Sequence, residues 1–74
     1  MRLKELRKAK GDSQKDTAYT VGVSQQAYAR YEKGDREPKI ATLIKLADYF
    51  DVSVDYLIGH EKTPNHSGDQ TLGN

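Results

Sequence analysis

The sequence contains no cysteine among its 74 residues. Disulfides and thiolate metal sites are therefore excluded, which fits a reducing compartment. No apolar run approaches the roughly 18–20 residues that a membrane-spanning helix needs. The N-terminus is basic and amphipathic, and no apolar stretch follows it, so a signal peptide is not expected. We expect one small domain. Because no disulfide stabilises it, the domain must be built from regular elements or form an oligomer to be stable.

Histidine is scarce as well, with only His60 and His66 present. They lie six positions apart, and no further ligands at metal-site spacing accompany them. A Ser/His/Asp arrangement is not expected, because both histidines fall beyond the periodic part of the sequence. No Gly-Lys-Ser/Thr phosphate loop is present either. The sequence thus predicts no metal, no cofactor, no small-molecule ligand and no catalytic residues, and we expect a protein that is not an enzyme.

Charge is unevenly distributed along the chain, although the net charge is only +1. Residues 1–39 hold ten lysines and arginines against six aspartates and glutamates, whereas residues 40–74 hold two against five. A basic surface of this kind could meet phosphates. Charges at this density are also typical of an ordinary solvated helix surface, so the pattern leaves both interpretations open.

Apolar side chains recur at helical spacing, and no alternation persists for the length of a strand. The clearest helix has an inner face made of Ile40, Leu43, Ile44, Ala47 and Phe50, with Leu46 beside it. The first has Leu3, Leu6 and Ala9. With serine N-caps and glycine stops, helices are predicted over residues 1–10, 14–21, 25–33, 40–50 and 54–58. The polar residues 60–74 are predicted to form a disordered tail.

The second and third helices are separated by the short turn Gly22-Val23-Ser24, a spacing typical of a helix-turn-helix. In that motif, the first residues of the second helix meet base edges in the major groove of DNA. Here they are Gln25 and Gln26, whose amides can donate to and accept from adenine N6 and N7 together. Arg30 projects from a similar face and can bind guanine or a phosphate.

Several short motifs occur together in residues 1–59. They are Arg2-Leu3-Lys4-Glu5-Leu6-Arg7, Ser13-Gln14, Gly22-Val23-Ser24-Gln25, Arg30-Tyr31-Glu32-Lys33-Gly34, Arg36-Glu37-Pro38 and Asp51-Val52-Ser53-Val54-Asp55-Tyr56-Leu57. Together they resemble the Cro/repressor-type helix-turn-helix family (the lambda-repressor-like, XRE family) of phage and bacterial regulators. The resemblance implies an all-α, five-helix DNA-binding domain over residues 1–59. It also implies a cytoplasmic, nucleoid-associated protein that binds double-stranded operator DNA sequence-specifically and represses transcription.

The resemblance also implies roles for individual residues. Base readout is expected from Gln25, Gln26 and Arg30. Contacts to the DNA backbone, or support for them, are expected from Gln14, Lys15, Ser24, Lys33, Arg36 and Lys39. In the family, the residue at the position of Gln14 braces a recognition glutamine and touches a phosphate. Arg7 and Glu32 correspond to a partly buried ion pair between the first and third helices, which we expect to be structural.

Five residues depart from the pattern of the family: Val21 stands where leucine is common, Lys39 where a small cap residue is common, and the other three concern packing. Asp12, Thr17 and Tyr28 stand where large aliphatic side chains are usual, and the Tyr28 hydroxyl needs a partner or a water molecule. One interpretation is a repacked core in which Tyr28 fills volume lost elsewhere. The others are a marginally stable domain and a surface adapted to a partner.

One helix-turn-helix reads only a few base pairs, and regulators of this type place two recognition helices one DNA turn, roughly 34 Å, apart. We therefore expect a homodimer that is weak off DNA. Its predicted surface is formed by Val52, Val54, Leu57 and Ile58. The alternative is that these side chains complete the monomer's own core, above all Leu57.

A second class of function uses the same fold. The chain could be a protein-interaction module, such as an antitoxin or an adaptor, whose tail folds on a partner. Leu72 is the only large apolar residue of that tail. One such side chain is a poor anchor, so the sequence favours DNA binding.

Overall fold

The computed structural model describes residues 1–60, and its regular elements within them are all α-helices. They are α1 (Leu3–Lys10), α2 (Gln14–Val21), α3 (Gln25–Lys33), α4 (Ile40–Phe50) and α5 (Val54–Leu57). The predicted all-α, five-helix architecture is confirmed. Helices α1 and α5 are slightly shorter than the sequence predicts, as is usual at frayed ends. The predicted tail, beyond His60, lies outside the described residues.

Serine side chains begin three of the helices, as the sequence predicts. The Ser13 hydroxyl accepts a hydrogen bond from the Asp16 backbone N–H at 3.0 Å, and the Asp16 carboxylate accepts one from the Ser13 N–H at 3.5 Å. The two bonds form a capping box, which satisfies backbone donors that the first helical turn leaves free. Ser53 caps α5 with a single hydrogen bond, which its hydroxyl accepts from the Tyr56 backbone N–H.

The turn between α2 and α3 depends on Gly22. Its φ of 80° lies in the left-handed region, where a side chain would be strained. The Gly22 and Val23 backbone N–H groups donate to the Tyr19 and Ala18 carbonyls, which closes α2. The chain can then start α3 directly from Ser24, so the helix-turn-helix geometry follows from this local backbone.

The core receives side chains from all five helices. Its buried apolar members are Leu3, Ala18, Val21, Tyr28, Tyr31, Leu46, Ala47, Phe50, Val52 and Leu57. Helix α2 packs mainly against α3 and α4, and α1 packs against the same two helices. Helix α3 is therefore held from behind by α1 and α2. Within residues 1–60, no helix has both the length and the apolar character to traverse a membrane.

The inner face of α4 differs from the prediction. Leu46 is fully buried, whereas Ile40 is 75% exposed and Ile44 is 48% exposed. The two isoleucines lie one turn apart on a flank of α4, beside the buried stripe that runs through Ala47 and Phe50, and the described part of the chain does not cover that flank. The prediction that they face the core is wrong. Ala9 of α1, which was also predicted to face the core, is exposed as well.

A polar cluster lies between α2 and α4. The Asp12 carboxylate accepts a hydrogen bond from the Tyr49 hydroxyl and a second, at 3.5 Å, from the hydroxyl of the fully buried Thr17. The bond to Asp12 raises the pKa of Tyr49. The Lys10 ammonium lies 4.7 Å from the centre of the Tyr49 ring. Asp12 and Thr17 therefore hydrogen-bond to each other. Tyr28, the third of these unusual residues, is fully buried in the core. Both observations favour the interpretation of a repacked core.

We expect Tyr49→Phe to lower the free energy of unfolding by about 1.5 kcal/mol, the low end for a hydrogen bond to a charged group, because Tyr49 is only half-buried. Urea unfolding measures the difference. Tyr19→Phe is the matched control, since the Tyr19 side chain is on the surface. Equal midpoints for the two variants would show that the Asp12–Tyr49 bond does not stabilise the fold.

Candidate nucleic-acid interface

The first two residues of α3 are on the surface of the domain. The Ser24 hydroxyl accepts a hydrogen bond from the Ala27 backbone N–H at 3.0 Å, which fixes the start of the helix. Gln25 and Gln26 follow directly, and both are exposed. The opposite face of α3 carries Tyr28 and Tyr31, which are buried. Burial of that face orients the two glutamine side chains away from the core.

A shallow basic groove runs along one side of α3. It is lined by Ser24, Gln26, Ala27, Ala29, Arg30, Lys33 and Arg36. Arg30, Lys33 and Arg36 give this basic groove three cationic side chains. The Lys33 ammonium lies 3.7 Å from the Asp35 carboxylate, but both side chains are largely exposed, so this ion pair is weak. The structure thus brings together five of the predicted DNA-contacting residues.

A second shallow groove lies on the other side of the start of α3. It is lined by Lys15, Asp16, Ala18, Tyr19, Thr20, Val23 and Gln25, and we call it the α2 groove. Gln25 and Gln26 are adjacent in the sequence but open onto different grooves. Lys15 shares the α2 groove with Gln25. Lys39 is exposed at the N-cap position of α4 and is not among the residues that line either groove.

Behind α3, a bidentate ion pair joins the first and third helices, as the resemblance implies. The Arg7 Nε lies 2.6 Å from Glu32 Oε2, and the Arg7 Nη2 lies 3.2 Å from Glu32 Oε1. The side chains are 11% and 4% exposed. Arg7 also donates to the Asp12 carbonyl at 2.8 Å. A buried pair of this geometry holds α3 at a fixed distance from α1.

Gln14 belongs to this buried network. Its side-chain amide donates to Glu32 Oε1 at 3.0 Å, and the residue is half-buried. The resemblance implies that Gln14 braces a recognition glutamine and touches a phosphate. In the structure its amide supports the Arg7–Glu32 ion pair, because Glu32 has an acceptor oxygen within reach of α2. Gln14 therefore positions α3 from behind.

The Tyr28 hydroxyl is the least satisfied polar group of the region. It is buried beside Glu32 and Arg7 and makes no hydrogen bond of normal geometry. Burial, and then the nearby Glu32 carboxylate, raise the pKa of Tyr28 far above its usual range. Burial opposes ionisation of Glu32 too, but hydrogen bonds, first of all from Arg7, outweigh it and lower the pKa of Glu32.

The residues of the predicted dimer surface are divided between core and surface. Val52 and Leu57 are 3% and 0% exposed, so neither can offer a surface to a second copy. This part of the prediction is corrected, because the monomer's own core covers both side chains. Val54 is half-buried, and Ile58 is 43% exposed. Ile58 lines a groove with Met1 and Leu43.

Among residues 1–60, no group of three or more histidine, cysteine, aspartate or glutamate side chains is arranged to hold a metal ion. His66 and Leu72 lie outside the described residues.

Comparison with known proteins finds helix-turn-helix proteins. A family model described as helix-turn-helix matches residues 3–57. The HTH-type transcriptional regulator AnsR of Bacillus subtilis (strain 168) is 48% identical over 61 residues, which cover 82% of this chain and 53% of AnsR. The SPbeta prophage-derived uncharacterized HTH-type transcriptional regulator YonR of the same organism is 44% identical, over 77% of this chain and 53% of YonR.

A phage protein is also among the relatives. The cryptic phage CTXphi transcriptional repressor RstR of Vibrio cholerae serotype O1 is 37% identical, over 84% of this chain and 55% of RstR. The chain spans about half the length of these curated relatives. All three are named as regulators or repressors, and none as an antitoxin or adaptor. No solved structure matches the chain.

We expect Arg7→Met to cost about 3–5 kcal/mol of unfolding free energy, since it leaves the Glu32 carboxylate buried without a cation. The double variant Arg7→Met/Glu32→Leu removes both charges and should cost clearly less. Urea unfolding of both variants and of the unmodified chain measures the difference. A double variant as unstable as the single one would contradict a paired, buried role.

Acid should weaken the fold through Glu32. Because its pKa in the folded chain lies below the ordinary value of 4.5, the ionised carboxylate stabilises the fold fully above that pH. The stabilisation is lost as pH falls through the lower pKa of the folded state. Glu32→Gln removes the titrating group, so its stability should depend less on pH in this range. Denaturant unfolding between pH 6 and pH 3 tests this, and identical slopes for the two proteins would refute it.

Proposed function

The chain belongs to the helix-turn-helix family of transcriptional regulators, and from this premise we propose that it binds a double-stranded DNA operator sequence-specifically and represses transcription there. We propose that it acts in the cytoplasm, on the nucleoid. The observation that carries the proposal is the exposed start of α3, where Gln25 and Gln26 project from a capped helix. A helix of this width fits the major groove of B-DNA.

Gln25, Gln26 and Arg30 are assigned to base readout. The glutamine amides pair a donor with an acceptor and so match the edge of adenine, and the Arg30 guanidinium matches the O6 and N7 of guanine. The Arg7–Glu32 pair supports this assignment because it holds α3 rigidly from behind. Rigid support keeps the reading side chains in register with the bases, since a small displacement would break bidentate contacts.

The cations around α3 are assigned to the DNA backbone. Lys33 and Arg36 lie in the basic groove beside Gln26, and Lys15 lies in the α2 groove beside Gln25. A backbone strand on each side of the helix would meet positive charge. Such contacts set affinity and salt dependence but do not select sequence. Lys39, outside both grooves, is assigned to a phosphate at the edge of the site.

We propose that two copies bind together on DNA. The surface for the second copy is centred on Ile58, with Val54 beside it, because these two of the predicted residues keep exposed area. So few apolar side chains make a small interface, which fits a dimer that forms fully only on its operator. Each copy would place its α3 in one half-site, one DNA turn apart.

The bound sequence is the most direct test of the proposed function. Selection from a random duplex pool should yield a two-fold symmetric consensus. Gln25→Ala should then lose about 1–3 kcal/mol of discrimination between the consensus and random DNA. Fluorescence anisotropy with both duplexes at one salt concentration measures it. If Gln25→Ala binds both duplexes as the unmodified chain does, the base-reading assignment is wrong.

A cation of the basic groove gives the matched comparison. Arg36→Gln should weaken binding to the consensus and to random DNA by similar factors, and should reduce the slope of log affinity against log salt by about 1. A change confined to the consensus duplex would place Arg36 on a base.

Ile58→Asp should abolish dimer formation on DNA without changing recognition of the DNA sequence. The exposed position tolerates the change, so the thermal unfolding curve should be preserved. The unmodified chain should bind a full operator with positive cooperativity between half-sites, and the variant should bind each half-site independently. Gel-shift titration of full and half operators measures the cooperativity. Cooperativity unchanged in the variant would exclude Ile58 from the dimer contact.

A further inference from the structure

Tyr19 is the most exposed large apolar side chain among the described residues. It is 87% exposed, whereas Ile40, the next, is 75% exposed. The tyrosine adds nothing to the hydrophobic core, which α2 reaches through Thr17, Ala18 and Val21 on its other face. An aromatic ring left in water loses the burial that stabilises other aromatic residues, so its presence here is not explained by folding.

The surroundings of Tyr19 have the chemistry of a DNA-backbone contact. Lys15 precedes Tyr19 by one helical turn, and both line the α2 groove together with Gln25. The other polar groups of this groove are already engaged. The Thr20 hydroxyl donates to the Asp16 carbonyl at 3.0 Å, and the Asp16 carboxylate takes part in the capping box of α2. The phenol of Tyr19 and the ammonium of Lys15 are therefore donors available to an anion.

We infer that Tyr19 and Lys15 form a clamp on the DNA backbone beside Gln25, in which the Tyr19 hydroxyl donates to one phosphate oxygen and the Lys15 ammonium binds the same strand. The inference rests on the proposed function, since it requires α3 to lie in the major groove. Tyrosine hydroxyls are regular donors to phosphate oxygens. The clamp fixes the strand on the side of α3 opposite the basic groove, so the duplex is held from both sides of the reading helix.

The test uses the full chain and its selected operator. Tyr19→Phe removes one oxygen and leaves the ring, and it should weaken binding by about three- to tenfold, the effect of one hydrogen bond. The loss should be similar on random DNA, because a phosphate contact carries no sequence information. Single methylphosphonate substitutions along the operator then locate the phosphate. At one position the substitution should weaken DNA binding by the unmodified chain but leave DNA binding by the Tyr19→Phe variant unchanged.

Lysine variants give the matched comparison. Lys15→Gln should reduce the salt slope by about 1, whereas Lys45→Gln, an exposed lysine of α4 outside both grooves, should leave it unchanged. The clamp is overturned if Tyr19→Phe binds as tightly as the unmodified chain, or if no phosphate loses its effect in that variant. That result, with Gln25→Ala still relaxing sequence preference, would refute the clamp alone. Failure of the unmodified chain to bind duplexes at low salt would refute the proposed function itself.

Discussion

The ion pair between Arg7 and Glu32 is the interaction on which the placement of α3 depends. It connects the first and third helices through two hydrogen bonds, and Gln14 adds a third connection from the second helix to the same carboxylate. Arg7 also binds the carbonyl of Asp12, just before α2 begins. One guanidinium therefore organises three segments of a chain that has no disulfide to do so. The surface that is proposed to face DNA is thus supported from behind by a buried, charge-assisted contact.

Polar pairing is used again on the other side of the domain. Asp12 and Thr17, two of the departures from the family pattern, hydrogen-bond to each other, and Tyr49 of α4 donates to the same Asp12 carboxylate. Such groups stabilise a fold only while all of them are paired, since each would cost free energy if left alone in the interior. The Tyr28 hydroxyl is the exception, and it lies beside the ion pair instead of within it. The small core thus gains specificity of packing from polar groups as well as from apolar area.

Much of this structure could be predicted from local signals. The serines at 13, 24 and 53 and the glycines at 11, 22 and 34 define helix ends by backbone chemistry, and the structure places them as predicted. The exposed Gln25 and Gln26 followed from the motif. Periodicity could not separate Ile40 and Ile44 from the buried stripe of α4, because neighbouring helices decide which flank is covered. It also could not show that Gln14 bonds to Glu32, or that Val52 and Leu57 are used by the core, since these depend on contacts between distant segments.

The two faces of α3 serve separate purposes. Tyr28 and Tyr31 are buried and hold the helix, while Gln25, Gln26 and Arg30 point outward. Substitutions on the outer face leave the packing untouched, so under the proposed function the bound sequence can change without an intermediate that fails to fold. Separation of this kind makes the domain evolvable, because the buried scaffold is inherited unchanged while the outward-facing side chains diverge.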